Sequence, residues 1–147
     1  MQLNHYLNFR GQAYAAFSFY QTVFGGEFSF IKYYYELSDI QVPEEEKDYL
    51  IHISLPINTY TTLMASDITK TFCNTQTPFI IGSNHYISIN LEAHEETEAH
   101  RLFNELSVNG QIESSLQKTF WGALYGAFTD QFGIKWMINC QLEAPTS

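Results

Sequence analysis

Apolar and polar side chains alternate in two short runs of this chain that resemble one another. His-Tyr-Leu-Asn-Phe at 5–9 and His-Tyr-Ile-Ser-Ile at 85–89 both place every second side chain on the same side of an extended backbone. Apolar residues then recur with helical spacing over 13–24 after the first run and over 94–107 after the second. The pattern therefore predicts a supersecondary unit that is used twice.

Three further strands are expected after each helix, so that each half of the chain has the order β-α-β-β-β. The strands expected in the first half are 2–9, 27–35, 49–56 and 60–67, and those expected in the second half are 85–91, 111–116, 120–129 and 135–141. The fold class is predicted to be α+β, with two βαβββ modules in a single domain, 1–147. Module 1 covers about 1–67, a linker covers 68–83, and module 2 covers about 84–141.

The composition narrows the classes of partner. The formal charge of −9, from 16 acidic and 7 basic residues, disfavours nucleic acid as a partner, because phosphates need a basic surface. No apolar run is long enough for a membrane span, and the N-terminal residues lack the features of a secretory leader, so a cytoplasmic protein is expected. Cys73 and Cys140 are expected to be reduced. The acidic segment 36–48 is expected to be a solvated loop or, alternatively, a lid over a site.

Several segments resemble one known family. They are Tyr6-Leu7-Asn8-Phe9, the helix end that runs through Phe19-Tyr20 to Phe24-Gly25-Gly26, Leu63-Met64-Ala65-Ser66-Asp67, Thr119-Phe120-Trp121-Gly122, and 129–139. Together with the βαβββ order, these segments resemble the PhnB-like branch of the vicinal oxygen chelate superfamily, which includes glyoxalases, bleomycin-resistance proteins and dioxygenases. The branch is sometimes labelled a methyltransferase domain, but no glycine-rich turn for a methyl-donor nucleotide follows the first strand.

The resemblance implies a fold more than a reaction. In the superfamily each module forms a curved sheet, the two sheets enclose a cavity, and a homodimer is common. Metalloenzymes of the superfamily draw their ligands from the first and last strands of each module, and the metal acts as a Lewis acid on adjacent substrate oxygens. Function is therefore expected to depend on the side chains that face the cavity.

The residues at the implied metal positions are poor ligands. The resemblance places the second-module carboxylate position at Met137 and the matching first-module position near Met64 or Ala65, and a thioether is a poor ligand for hard or borderline metals. His5 and His85 are weak metal candidates, because each shares a strand face with apolar residues. No cofactor is therefore predicted, and a divalent metal is the alternative.

Strand alternation and the resemblance together predict a pocket. His52 lies on the face opposite Ile51, Ile53 and Leu55, and it is the best single candidate for a proton carrier, although the catalytic residues remain unknown. The pocket is expected to contain Tyr6, Asn8, His52, Ser66, Tyr86, Ser88, Trp121, Tyr125 and Met137. Trp121 and Tyr125, with Phe120, Phe128, Gly122 and Gly126, are interpreted either as a wall for a flat ligand or as core aromatics.

The sequence thus favours a small-molecule-binding protein whose reaction is undefined, either a catalyst or a protein that sequesters its ligand. The alternative is a metal-dependent lyase or dioxygenase of the same superfamily. A third class, a purely structural or interaction module, would have no inner cavity.

Overall fold

The computed structural model describes residues 1–39, 41–70 and 78–142. The backbone divides into two compact units, Met1–Ile80 and Ile81–Ser147. None of the helices in the described ranges is long and apolar enough to cross a bilayer.

The first unit contains one helix and one four-stranded sheet. Its elements are β1 (Tyr6–Phe9), α1 (Ala13–Phe24), β2 (Phe30–Tyr33), β3 (Leu50–Pro56) and β4 (Thr62–Asp67). The strand order is β1-β4-β3-β2; β1 is parallel to β4, and the other neighbours are antiparallel. The first strand of the unit therefore lies beside the last.

The second unit has the same order of elements and the same strand order. Its elements are β5 (Ile87–Leu91), α2 (Glu96–Leu106), β6 (Gln111–Lys118), β7 (Ala123–Thr129) and β8 (Lys135–Gln141). The sheet runs β5-β8-β7-β6, with β5 parallel to β8. The predicted α+β fold with two βαβββ modules is confirmed.

Each helix covers one face of its own sheet. In the first unit, α1 packs on β3 and β4, and Phe17 and Tyr20 are fully buried. In the second, α2 packs on β8, and the ring of Phe103 meets that of Phe128 edge-to-face at 5.2 Å. Burying one such side chain contributes about 1.5–3 kcal/mol. The opposite face of each sheet carries the exposed and half-buried side chains, and it is called the open face below.

Two buried aspartates fix the backbone at strand ends. Asp67 Oδ1 accepts hydrogen bonds from the N–H groups of Gly11 (2.8 Å) and Ala13 (3.0 Å), and Oδ2 accepts one from the N–H of Leu50 (2.9 Å). Asp130 accepts from two backbone N–H groups of its own turn and from the indole of Trp136. Asp67 thereby joins the start of α1 to β3.

Several predicted boundaries were wrong by two or more residues. The first strand begins at Tyr6 rather than at residue 2, because the side chains of Gln2 and Asn4 bond to the backbone of residues 60 and 62 in place of a ladder. The strand predicted over 27–35 covers only Phe30–Tyr33, and the helix predicted from 94 begins as a short 3-10 turn, Ala93–Glu95. The strand predicted from 120 begins at Ala123.

The acidic segment is only partly a solvated loop. Glu44–Glu46 form a 3-10 turn, and Glu46 is buried. Its carboxylate accepts hydrogen bonds from the backbone N–H of Lys70. The expectation of full solvation was therefore wrong for Glu46, because that carboxylate ties the segment to the residues that follow β4.

Candidate functional site

Polar side chains gather on the open face of the first sheet. β1 contributes Tyr6 and Asn8, which lie beside Met64 and Ser66 of β4 in the strand register. The Ser66 hydroxyl donates to Asn8 Oδ1 at 3.3 Å. Four of the residues predicted for the pocket, Tyr6, Asn8, Ser66 and His52 of β3, thus lie in this unit. Ala65 is buried on the helix side, so Met64 is the residue at the implied metal position.

His52 is held between two hydroxyl groups. Its Nδ1 is hydrogen-bonded with the phenol of Tyr6 at 2.9 Å, and its Nε2 with the hydroxyl of Ser54 at 2.7 Å. Burial lowers the pKa of the His52 imidazole below its ordinary value, which favours the neutral form of the ring. A neutral imidazole between two hydroxyls accepts a hydrogen bond at one nitrogen and donates one from the other, and this arrangement can move a proton.

An open depression of about 500 Å³ lies beside this histidine. It is lined by Phe30, Lys32, Leu37, Ile51 and His52. The prediction that Ile51 faces away from His52 was wrong. Lys32 pairs with His52 and Tyr33 pairs with Leu50, so Ile51 has no partner on β2 and is the extra residue of a β-bulge. The alternation of faces along β3 therefore does not continue through Ile51. Leu50 takes the buried place instead.

The open face of the second sheet carries the other predicted residues. Ser88 lies beside Met137, which lies beside Ala127. Tyr125 lies on the same face of β7 as Ala127, in register with Asn139. Tyr86 precedes β5 and is half-buried.

Sequence reasoning missed a charged cluster on this face. Glu113 accepts hydrogen bonds from Tyr86, from Thr129 (2.8 Å) and from the ammonium of Lys135, which also lies 5.0 Å from the centre of the Tyr86 ring. Lys135, Tyr86 and Thr129 together lower the pKa of Glu113 to about 2. Strand alternation does not predict the face of Glu113, because this residue is the extra one of a bulge between Ile112 and Ser114.

The Glu113 cluster makes the free energy of unfolding depend on pH in the acidic range. Because the pKa of Glu113 is lower in the folded chain than in an unfolded one, its contribution is complete above about pH 4.5 and is lost as the pH falls towards 2. We expect Glu113→Gln to be less stable than the parent in urea at pH 6, and this difference should shrink steadily between pH 5 and about pH 2.5. Glu27→Gln, at an exposed position, is the control. A difference that stays constant with pH would contradict the assignment.

Trp121 and Phe120 lie in the turn between β6 and β7, not in a strand. The Thr119 N–H donates to the carbonyl of Ala123, Gly122 has φ 84°, and Phe120 and Trp121 are 98% and 53% exposed. Trp121 lies 6.5 Å from Tyr125 between ring centres, so these two predicted residues meet.

The rest of the predicted aromatic wall lies on the other face of β7. Phe128 is fully buried beneath α2. A side chain at Gly126 would lie 2.7 Å from the ring of Phe103, so this glycine makes room for the helix and not for a ligand. For Phe128 and Gly126 the structure therefore supports the second of the two interpretations, that they belong to the core.

The candidate metal ligands His5 and His85 belong to no cluster of metal-binding side chains among the described residues. His5 is half-buried and His85 is exposed, and each precedes the first strand of its unit. Among residues 1–39, 41–70 and 78–142, no three His, Cys, Asp or Glu side chains are placed to hold a metal ion. Cys140 is buried, its thiol donates to the carbonyl of Glu92, and burial raises the pKa of that thiol. Cys73 lies outside the described residues.

The fold defines the class of protein: two βαβββ units, each with its first strand parallel to its last. A model of the Glyoxalase/Bleomycin resistance protein/Dioxygenase superfamily matches residues 2–138. The chain belongs to this superfamily, as its sequence predicted.

Individual relatives cover nearly the whole chain. Protein YjdN of Escherichia coli (strain K12) is 30% identical in an alignment of 154 positions that covers 99% of this chain and 99% of that one. The structure of protein PA1353 from Pseudomonas aeruginosa is 35% identical, with a TM-score of 0.78 over 96% of this chain and 98% of that one. A PhnB protein from Bacillus cereus, named a putative 3-demethylubiquinone-9 3-methyltransferase, is 21% identical with a TM-score of 0.73, over 95% of this chain and 99% of that one. At that identity the last likeness shows the fold alone.

Proposed function

We propose that this protein binds a small organic molecule on the open face of its first sheet, where His52 is the group that holds or moves a proton. One observation carries the proposal: the neutral imidazole of His52 is fixed between the Tyr6 and Ser54 hydroxyls at the wall of an apolar depression. Small-molecule sites typically combine an apolar lining with a few oriented polar groups.

The test is a ligand screen followed by a comparison of two histidine variants. Compounds that raise the melting temperature of the parent protein are titrated against His52→Gln and His100→Gln, the second being an exposed residue of α2. We expect His52→Gln to weaken binding about tenfold or more, because it removes an oriented polar group of the site. His100→Gln should bind as the parent does. Equal affinities in both variants would remove His52 from the site.

We also propose that binding does not require a divalent metal. The donors at the implied positions support this: Met64 lies beside Tyr6, and Met137 lies beside Ser88. A thioether is a poor ligand for the hard or borderline metals that carboxylates and imidazoles hold. A metal-dependent lyase or dioxygenase is therefore the less favoured reading.

The metal content of the purified protein distinguishes the two readings. We expect far less than one divalent metal ion per chain by elemental analysis, and little change in melting temperature on adding a chelator, because ligand-linked stability scales with occupancy. A stoichiometric metal that is lost in His5→Ala or His85→Ala would contradict the proposal. The lyase or dioxygenase reading would then replace it.

The oligomeric state and the cellular location of this protein are predicted from the sequence only. The resemblance predicts a homodimer, and the sequence favours a cytoplasmic protein without a nucleic-acid partner. The proposed ligand site does not depend on either, since its contacts lie within one unit of one chain.

A further inference from the structure

The lining of the depression beside His52 includes one lysine, Lys32. Lys32 lies directly across from His52 on the neighbouring strand. Its ammonium forms no ion pair with any residue in the described ranges, whereas four of the other six lysines and arginines do: Lys47, Lys70, Arg101 and Lys135. Lys32 therefore offers an ammonium without an ion-pair partner in the described ranges, on a chain of formal charge −9.

The rest of the lining is apolar and contains a ring. Leu37 and Ile51 supply aliphatic surface, and Phe30, which is 49% exposed, lies 5.6 Å from the His52 ring between centroids. The volume of about 500 Å³ is within the range of small-molecule sites, roughly 300–1,000 Å³. The depression can therefore cover the apolar body of a ligand of modest size.

We infer that this depression selects small organic monoanions with an apolar body, such as aromatic or branched aliphatic carboxylates. The inference rests on the proposed function and names its ligand class. The Lys32 ammonium pairs with the anionic group, while Phe30, Leu37 and Ile51 cover the apolar part. A cationic ligand would meet the Lys32 charge without a counter-ion. A polyphosphate would bring several negative charges to a single cation on an acidic chain.

The test compares three compounds of one shape and different charge. 3-Phenylpropanoate, 3-phenylpropanamide and 3-phenylpropylamine are titrated into the whole protein, and binding is followed by the NMR signals of Phe30 and His52. We expect the carboxylate to bind about tenfold more tightly than the amide, and the amine not to saturate. Half-molar salt should narrow the gap between carboxylate and amide, because it screens the Lys32 charge.

Two lysine variants separate the local charge from the net charge. Lys32→Gln should weaken the carboxylate about threefold to tenfold and leave the amide unchanged. Lys118→Gln removes the same formal charge from β6 of the other unit and should change neither. Saturable binding of the carboxylate that is unaffected in Lys32→Gln, or equal binding of carboxylate and amide, would overturn the selectivity while small-molecule binding stands. No saturable change at Phe30 or His52 with any compound would overturn the inference, and the histidine comparison above would decide the proposed function separately.

Discussion

Replacing Gly110 by alanine is expected to lower the free energy of unfolding by about 3–5 kcal/mol. A Cβ at this position would lie 2.2 Å from the carbonyl oxygen of Thr129 and 3.0 Å from the Cα of Asp130. Both neighbours are backbone atoms, so they can move only if the end of β7 and the turn after it shift. The N–H of Gly110 also donates to the carbonyl of Ser107 at 2.9 Å, which fixes the glycine from its other side.

Urea unfolding followed by circular dichroism measures this loss. Gly82→Ala is the matched control, because the nearest atom to an added Cβ there is the side-chain oxygen of Asn84 at 3.7 Å, an ordinary contact distance. The control should stay within about 0.5 kcal/mol of the parent. Comparable losses in the two variants would show that the close approach of Gly110 to Thr129 does not limit stability.

Replacing Asp67 by alanine is expected to lower the free energy of unfolding by about 3–5 kcal/mol as well. The change leaves the N–H groups of Gly11, Ala13 and Leu50 without their acceptor, and two of these three hydrogen bonds are buried. Each buried donor left unsatisfied costs about 1–3 kcal/mol.

Asp67→Asn separates the hydrogen bonds from the loss of volume. An amide keeps one oxygen, but its nitrogen must face at least one backbone N–H, so donor meets donor. The expected loss is about 2–4 kcal/mol. Asp39→Ala, at an exposed position, should change unfolding by no more than about 0.5 kcal/mol. If Asp67→Asn is as stable as the parent, the hydrogen bonds of this carboxylate contribute little.

Much of the fold was predictable because its signals are local. The helical spacing over 13–24 gave α1 with its observed ends, and the last strand was predicted at 135–141, where β8 lies. Alternation also assigned the faces of β1, since Leu7 and Phe9 are buried while Tyr6 and Asn8 are exposed. Both periods are fixed by backbone geometry, so they can be read without knowing the neighbouring strands.

The errors arise where a neighbouring strand decides the outcome. Ile51 and Glu113 are extra residues in bulges, and a bulge is defined by two residues opposing one on the partner. The alternating pattern therefore failed at Ile51 and left Glu113 uncertain, and the cluster of Glu113 with Lys135 was missed. The two interpretations of the aromatic residues on β7 could have been separated without the neighbouring strand. Phe128 and Tyr125 lie an odd number of positions apart, so alternation alone puts them on opposite faces.

The parallel pairing of first and last strands has a consequence for the order of folding. In each unit the three later strands form an antiparallel ladder between neighbours in sequence. By contrast, β1 can pair only once β4 is present, and β5 can pair only once β8 is present. During synthesis the opening strand of each unit leaves the ribosome long before its partner exists, and closing the long intervening loop is slow. We expect native-state hydrogen exchange to show β1 amides opening at lower free energy than those of β3, so that each unit is completed from its end back to its beginning.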